Sequence, residues 1–151
     1  MDDNPAEGTA VGHAAGYGPL ALLAQLSDRA DLDVVTVTLV AGGALISGRV
    51  VGGWEFFNDH ADAFRRLAAR QGGGAESVGA LLQDAFEQFA GEYVQDRAQT
   101  TPELDTDAPE SAWLHLKEAT VTVGGTGTRQ AGSWRVRIDQ VAAWTIEAPT
   151  G

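Results

Sequence analysis

His60 stands one residue after Asp59 and two before Asp62, with Asn58 just upstream. An imidazole among carboxylates could hold a metal or act as an acid–base pair, and a small hydrolase using His60 with Asp59 is one reading. The plainer reading is a helix start. Asn58 or Asp59 would cap it, and Asp62 would sit in a first turn whose dipole favours an anion. The capping reading is adopted. His13 falls in the N-terminal stretch, and His115 alternates with Leu114 and Leu116, which places it toward solvent or a sheet edge. There is no HxxxH pair and no GxSxG elbow, and Ser47 has no histidine placed beside it by the sequence. Cysteine is absent, which removes disulfides and thiolate chemistry. The expectation is a protein without catalytic residues, metal or cofactor.

The glycines offer a second possible chemistry, the cradling of phosphate. A Walker loop requires GxxxxGK before Ser or Thr, and the single lysine, Lys117, is far from the glycines of VTVTLVAGGALISGRVVGGWEFF (35–57). A dinucleotide turn leads from strand into helix, whereas Gly42-Gly43 joins two strand-like runs. These glycines read as structural.

Trp134, Arg135 and Arg137, with Arg129 upstream, form a compact basic patch, and Arg65 with Arg66 forms another. Trp and Arg together suit a protein interface or a single-strand nucleic-acid platform. Solvated arginines on an outer strand face are the plain alternative. The net charge of −11 repels phosphate backbones and anionic headgroups. The partner expected is therefore protein, first of all another copy of the chain, with nucleic acid disfavoured and no membrane. TTPELDTDAPES (100–111) supplies the opposite charge: Glu103, Asp105, Asp107 and Glu110 are natural counterparts for Arg135 and Arg137 of a neighbour.

At 151 residues, 44% hydrophobic and 21% charged, the chain suits one globular core. Residues 1–17 read as a disordered tail, with two acids where a secretory signal would carry basic residues. Residues 18–151 read as a single domain. PLALLAQLSDRA is a short helix opening at Pro19 and ending near Arg29, with Leu22, Leu23 and Leu26 on one face. Strands follow over 34–40 and 44–51, with Trp54–Phe57 continuing the ribbon. Two helices occupy 58–97. Ala61, Phe64, Leu67 and Ala68 mark the inner face of the first; Val78, Leu81, Leu82, Ala85, Phe86, Phe89 and Tyr93 form the stripe of the second. An acidic loop spans 98–111. Strands resume over 113–123, pass a glycine-rich turn (124–132) and return as SWRVRIDQVAAWTIE.

Gly48 inside the second strand implies a bend or bulge, and bends let a narrow sheet close. The fold class expected is α+β. It is a small, strongly bent five-stranded barrel or sheet, with an N-terminal helix and a pair of helices inserted between the second and third strands. VTLVAGGALISGRVVGGWEFFN resembles the first motif of the Sm-like small barrel, and an Sm-like oligomeric RNA-binding protein is the alternative reading.

The same segments also resemble the GvpU family of gas vesicle accessory proteins. The resemblance rests on Leu45, Ile46, Ser47 and Gly48; on His115, Leu116, Lys117 and Ala119; and on Trp134, Arg135, Arg137 and Ile138, in that order across residues 33–146. It implies a non-catalytic cytoplasmic accessory protein that acts in vesicle assembly or clustering. Such a protein contacts the vesicle shell, other accessory proteins or itself.

Overall fold

Gly42 and Gly43 have φ values of +57° and +78°, as a two-residue type I′ hairpin requires at both turn positions. They fold β1 (Thr36–Ala41) back onto β2 (Ala44–Val51), with Ala41 opposite Ala44. The computed structural model describes residues 13–29, 35–71, 73–99 and 113–147. Around the hairpin stand α1 (His13–Arg29), α2 (Gly53–Gln71), α3 (Gly74–Gln99), β3 (Trp113–Val123), β4 (Gly127–Arg137) and β5 (Val141–Glu147). A turn of 3-10 helix, Ile138–Gln140, joins the last two strands.

The strands form one antiparallel sheet in the order β4-β3-β2-β1-β5. Its two edges, β4 and β5, are thus separated by only three residues of chain. In a flat sheet those edges would lie about 19 Å apart, at four spacings of about 4.8 Å. The end of β4 and the start of β5 would also lie at opposite ends of their strands. Three 3-10 residues advance only about 6 Å. The sheet must therefore curl hard. It remains open, because β4 and β5 do not pair with each other, so the closed form of the expected barrel is not present.

The curl is made at β3. Ser47 pairs with Thr120 and Arg49 with Lys117, so Glu118 and Ala119 together oppose the single residue Gly48. Glu118 takes φ +51° to accommodate the extra residue. On the other side of β3, the register with β4 slips again beside Gly132, where φ is +70°. Bulges of this kind bend a strand and increase its twist. A β-carbon on Gly48 would lie 3.1 Å from both the Leu116 β-carbon and the Lys117 carbonyl. The bend therefore centres on Gly48, although the extra residue belongs to β3.

One face of the sheet buries Val37, Leu39, Ile46, Val50, Leu114, Leu116, Val121, Val136 and Val141 against Leu20, Leu23 and Ala24 of α1. Leu26, expected on the buried face of α1, is exposed. Pro19 lies inside α1 rather than at its first turn, because the helix already begins at His13, within the stretch read as tail. The other face divides in two. Toward the Gly42-Gly43 turn it is open and mixed, with Thr38 bonded to Ser47, Thr122 to Thr128 at 2.6 Å, and Leu45 exposed opposite Val40. Toward the opposite end it is covered by α2 and α3.

Residues 54–57 are helix, not strand. The first helical bond runs from the Phe56 amide to the Gly52 carbonyl at 3.0 Å. Asp28 Oδ1 accepts from the Gly53 amide at 2.7 Å, so the last turn of α1 caps α2. Asn58 and Asp59 consequently lie well inside α2 and are not caps. The hairpin of α2 and α3 closes on small residues, with Gly79 against Ala68. That close approach leaves the larger side chains at its margin. Leu67, Val78, Leu81, Leu82 and Phe89 are exposed, Leu81 by 70%, so of the expected inner stripes only Ala61 and Ala68 are buried, and Phe56, Phe57 and Ala90 are buried in their place. The acidic segment 100–111 lies outside the described residues.

Candidate functional site

Strand alternation carries Trp113, His115 and Lys117 of β3, with Arg135 and Arg137 of β4, to the face beneath α2 and α3. Helix α2 meets them with Glu55, Phe56, Phe57, Asp59 and His60, and α3 with Phe86, Phe89 and Tyr93. The Arg135 guanidinium carbon lies 4.1 Å from the centre of the Trp113 ring and 5.4 Å from that of Phe57. Arg137 reaches the same Trp113 ring at 5.9 Å and pairs with Asp139. A cation over an aromatic face is attracted by the ring quadrupole, and more strongly as water is excluded.

Behind this layer His115 is only 2% exposed. Its ring centre lies 4.8 Å from Phe56, 5.8 Å from Phe57 and 5.7 Å from Tyr93. Nε2 has no hydrogen-bond partner among the described residues. Burial, followed by the charge of Arg135 and then His60, lowers its pKa to about 3. His115 is therefore a neutral member of an aromatic cluster, not the solvent-facing residue expected. Its neighbour on the phenol side, Tyr93, has its pKa pushed up by burial and by Asp28, against the opposing pull of Arg135.

Lys117 joins the sheet to α2 by pairing with both Glu55 and Asp59. Burial works against its charge, but the two carboxylates outweigh that and hold its pKa above the ordinary value. Asp59 is thereby committed to a structural ion pair. His60 donates from Nδ1 to the Phe56 carbonyl at 2.8 Å and stacks on Phe86 at 5.5 Å. His60 and Asp59 line an open cavity of about 480 Å³ with Arg66 and Ser133. The Asp62 carboxylate that completed the sequence cluster turns instead to Arg65 at 2.6 Å. Among the described residues no group of three or more His, Asp or Glu is placed to hold a metal.

A second, smaller cavity of about 250 Å³ lies between Phe57, Phe89, Glu92, Tyr93 and Arg135. The three residues singled out on β4 separate here: Arg135 and Arg137 take this outer face, while Trp134 packs against the inner core. Their proposed counterparts Glu103, Asp105, Asp107 and Glu110 lie outside the described residues. Sequence reasoning missed Trp113, Phe57 and Tyr93, which hold Arg135, and it missed the burial of His115. The available signal was the density of aromatics over 56–93, more than a water-facing helical pair would carry.

A curled, open five-stranded sheet, with α1 on one face and a helical hairpin over part of the other, defines a small α+β protein. No helix among the described residues is long and apolar enough to cross a membrane. The chain belongs to the GvpU-like family of gas vesicle proteins, whose model matches residues 19–149. No curated protein matches it.

Proposed function

We propose that this protein is a non-catalytic accessory protein of gas vesicles, acting in their assembly or clustering by associating with further copies of itself. The observation that carries this reading is the arginine-bearing edge of the sheet. Arg135 and Arg137 are exposed and held by Trp113, on a chain whose net charge is −11. Held arginines beside aromatics are favoured among the residues that dominate protein interfaces. On an acidic protein they select an acidic surface, and further copies supply one, including Glu103, Asp105, Asp107 and Glu110. Single exposed ion pairs contribute only about 0–1 kcal/mol, so association is weak for each contact and is strengthened by multivalency. The curled sheet, with its leading helix and its 3-10 link between the edge strands, is read as an Sm-like barrel left open between β4 and β5. The protein's place is at the vesicle, in the cytoplasm.

The test is Arg135→Glu with Arg137→Glu in cells that make vesicles. The variant is expected to fold and to leave vesicles dispersed under the microscope, and light scattering of the wild-type protein is expected to fall as salt rises. A strictly monomeric protein whose deletion leaves vesicle arrangement unchanged would defeat the proposal.

A further inference from the structure

Ala131 and Ser133 are the two residues of β4 that the register with β3 leaves without a partner. Gln130 stands opposite Thr120, Gly132 opposite Ala119 and Trp134 opposite Leu116, so the ladder skips both positions in between. Lys117 and Glu118 together oppose Ser133, Ala131 is an extra residue on β4, and Gly132 takes φ +70° between them. Bulges re-aim side chains and are frequent beside active sites. Here both skipped residues line the open cavity of about 480 Å³, to which α2 contributes Asp59, His60, Ala63 and Arg66.

The polar groups around this cavity are of both kinds, donor and acceptor. Among the described residues, neither the Arg66 guanidinium nor the Ser133 hydroxyl has a hydrogen-bond or ion-pair partner. His60 donates from Nδ1 to the Phe56 carbonyl, so in the neutral ring Nε2 is an acceptor. Asp59 gives Oδ2 to Lys117, which leaves Oδ1 as a second acceptor. The formal charges cancel, because Lys117 offsets one of Glu55 and Asp59 and Arg66 offsets the other. No net positive charge remains to draw an anion to a chain of net charge −11, and a cation would meet Arg66. Ala63 and Ala131 keep the cavity wide, and its volume is in the range that admits one small molecule. We propose that this cavity binds a small neutral ligand with adjacent hydroxyl groups, a monosaccharide or polyol. Each hydroxyl both donates and accepts, so neighbouring hydroxyls can accept from Arg66 and Ser133 while donating to Asp59 and His60. Arg135 and Arg137 do not line this cavity, so the site stands or falls apart from the self-association reading.

Titration of the full chain with D-glucose and with myo-inositol, followed by amide chemical shifts, tests the assignment. At least one of the two is expected to shift the amides of Ala63, Arg66, Gly132 and Ser133 along saturable curves. Cyclohexanol, which has a single hydroxyl, and acetate should leave those amides unmoved at the same concentrations. Arg66→Met should weaken binding about tenfold or more, the worth of a hydrogen bond to a charged group, and Ser133→Ala about threefold or more. Neither side chain has a partner to lose among the described residues, so both variants should keep the wild-type melt. If a variant fails to fold, the wild-type titrations against cyclohexanol and acetate decide alone. Shifts that rise linearly with every additive, or saturable binding that both variants retain in full, would overturn the proposal. Saturable binding of cyclohexanol or acetate as strong as that of the sugar would overturn it as well.

Discussion

His115 and Arg135 stand directly opposite each other on β3 and β4, in a pair whose peptide groups point apart and whose side chains therefore come close. One is sealed beneath Phe56, Phe57 and Tyr93, and the other lies over Trp113. The histidine stays neutral because burial, Arg135 and then His60 all oppose a proton, which brings its pKa to about 3. In the unfolded chain it titrates near its ordinary value of about 6.5. Between those limits the unfolded state binds a proton that the folded state refuses. Stability is therefore complete above about pH 6.5 and is lost as pH falls toward 3, at about 1.4 kcal/mol per pH unit. Denaturant unfolding at pH 7 and pH 5 should show the wild type losing about 2 kcal/mol more than His115→Phe. Parallel losses in the two proteins would refute this account of the buried ring.

Gly48 faces the bulge at Glu118 and Ala119, where a β-carbon would press on the Leu116 side chain and the Lys117 carbonyl. Gly48→Val should destabilise the protein by about 1–3 kcal/mol, as overpacking against a close backbone does. A thermal melt checks this. An unchanged midpoint would mean that the bend does not depend on bare backbone there.

Asp28 caps a helix that begins far along the chain, at Gly53. Asp28→Ala should cost about 0.5–2 kcal/mol, and amide exchange should quicken in the first turn of α2 before it does in the sheet. Uniform quickening throughout the protein would contradict a local cap.

Lys117 separates Glu55 from Asp59, which lie one turn apart on α2 and would repel without it. Lys117→Met should lower stability by about 1 kcal/mol, with the partial exposure of the carboxylates limiting the loss. Adding Glu55→Gln should restore part of it. If the double variant is no better than the single, the two carboxylates do not strain the interface.

The strand from Trp113 to Val123 and the end of α1 at Arg29 can be read from local pattern alone, because alternation and a helical leucine repeat are local properties. The start of α2 cannot. Trp54, Glu55, Phe56 and Phe57 suit a strand by composition, whereas in the fold they open a helix whose start is capped by a carboxylate 25 residues upstream and whose Phe56 and Phe57 are buried. The burial of His115 is equally remote from its neighbours. Leu-His-Leu reads as one apolar and one polar face, and only the aromatics of α2 and α3 convert the second face into interior. Arg135 and Arg137 are visible in the sequence as a basic pair. Their tether, Trp113, comes from the adjacent strand and is fixed by register.

Thr38 and Glu147 touch across the join of β1 and β5 although 109 residues separate them. During synthesis, the β1–β2 hairpin leaves the ribosome long before its outer partner exists. At about 5–20 residues per second, the wait is roughly 5–20 s. For that interval β1 exposes the edge that β5 later occupies, beside the newborn hydrophobic surface of the hairpin. Neighbouring nascent chains on one message are then each other's nearest strands, and an uncovered strand edge is a template for pairing between them. The final strand ends that exposure, so the last-made segment of the sheet also shields the first.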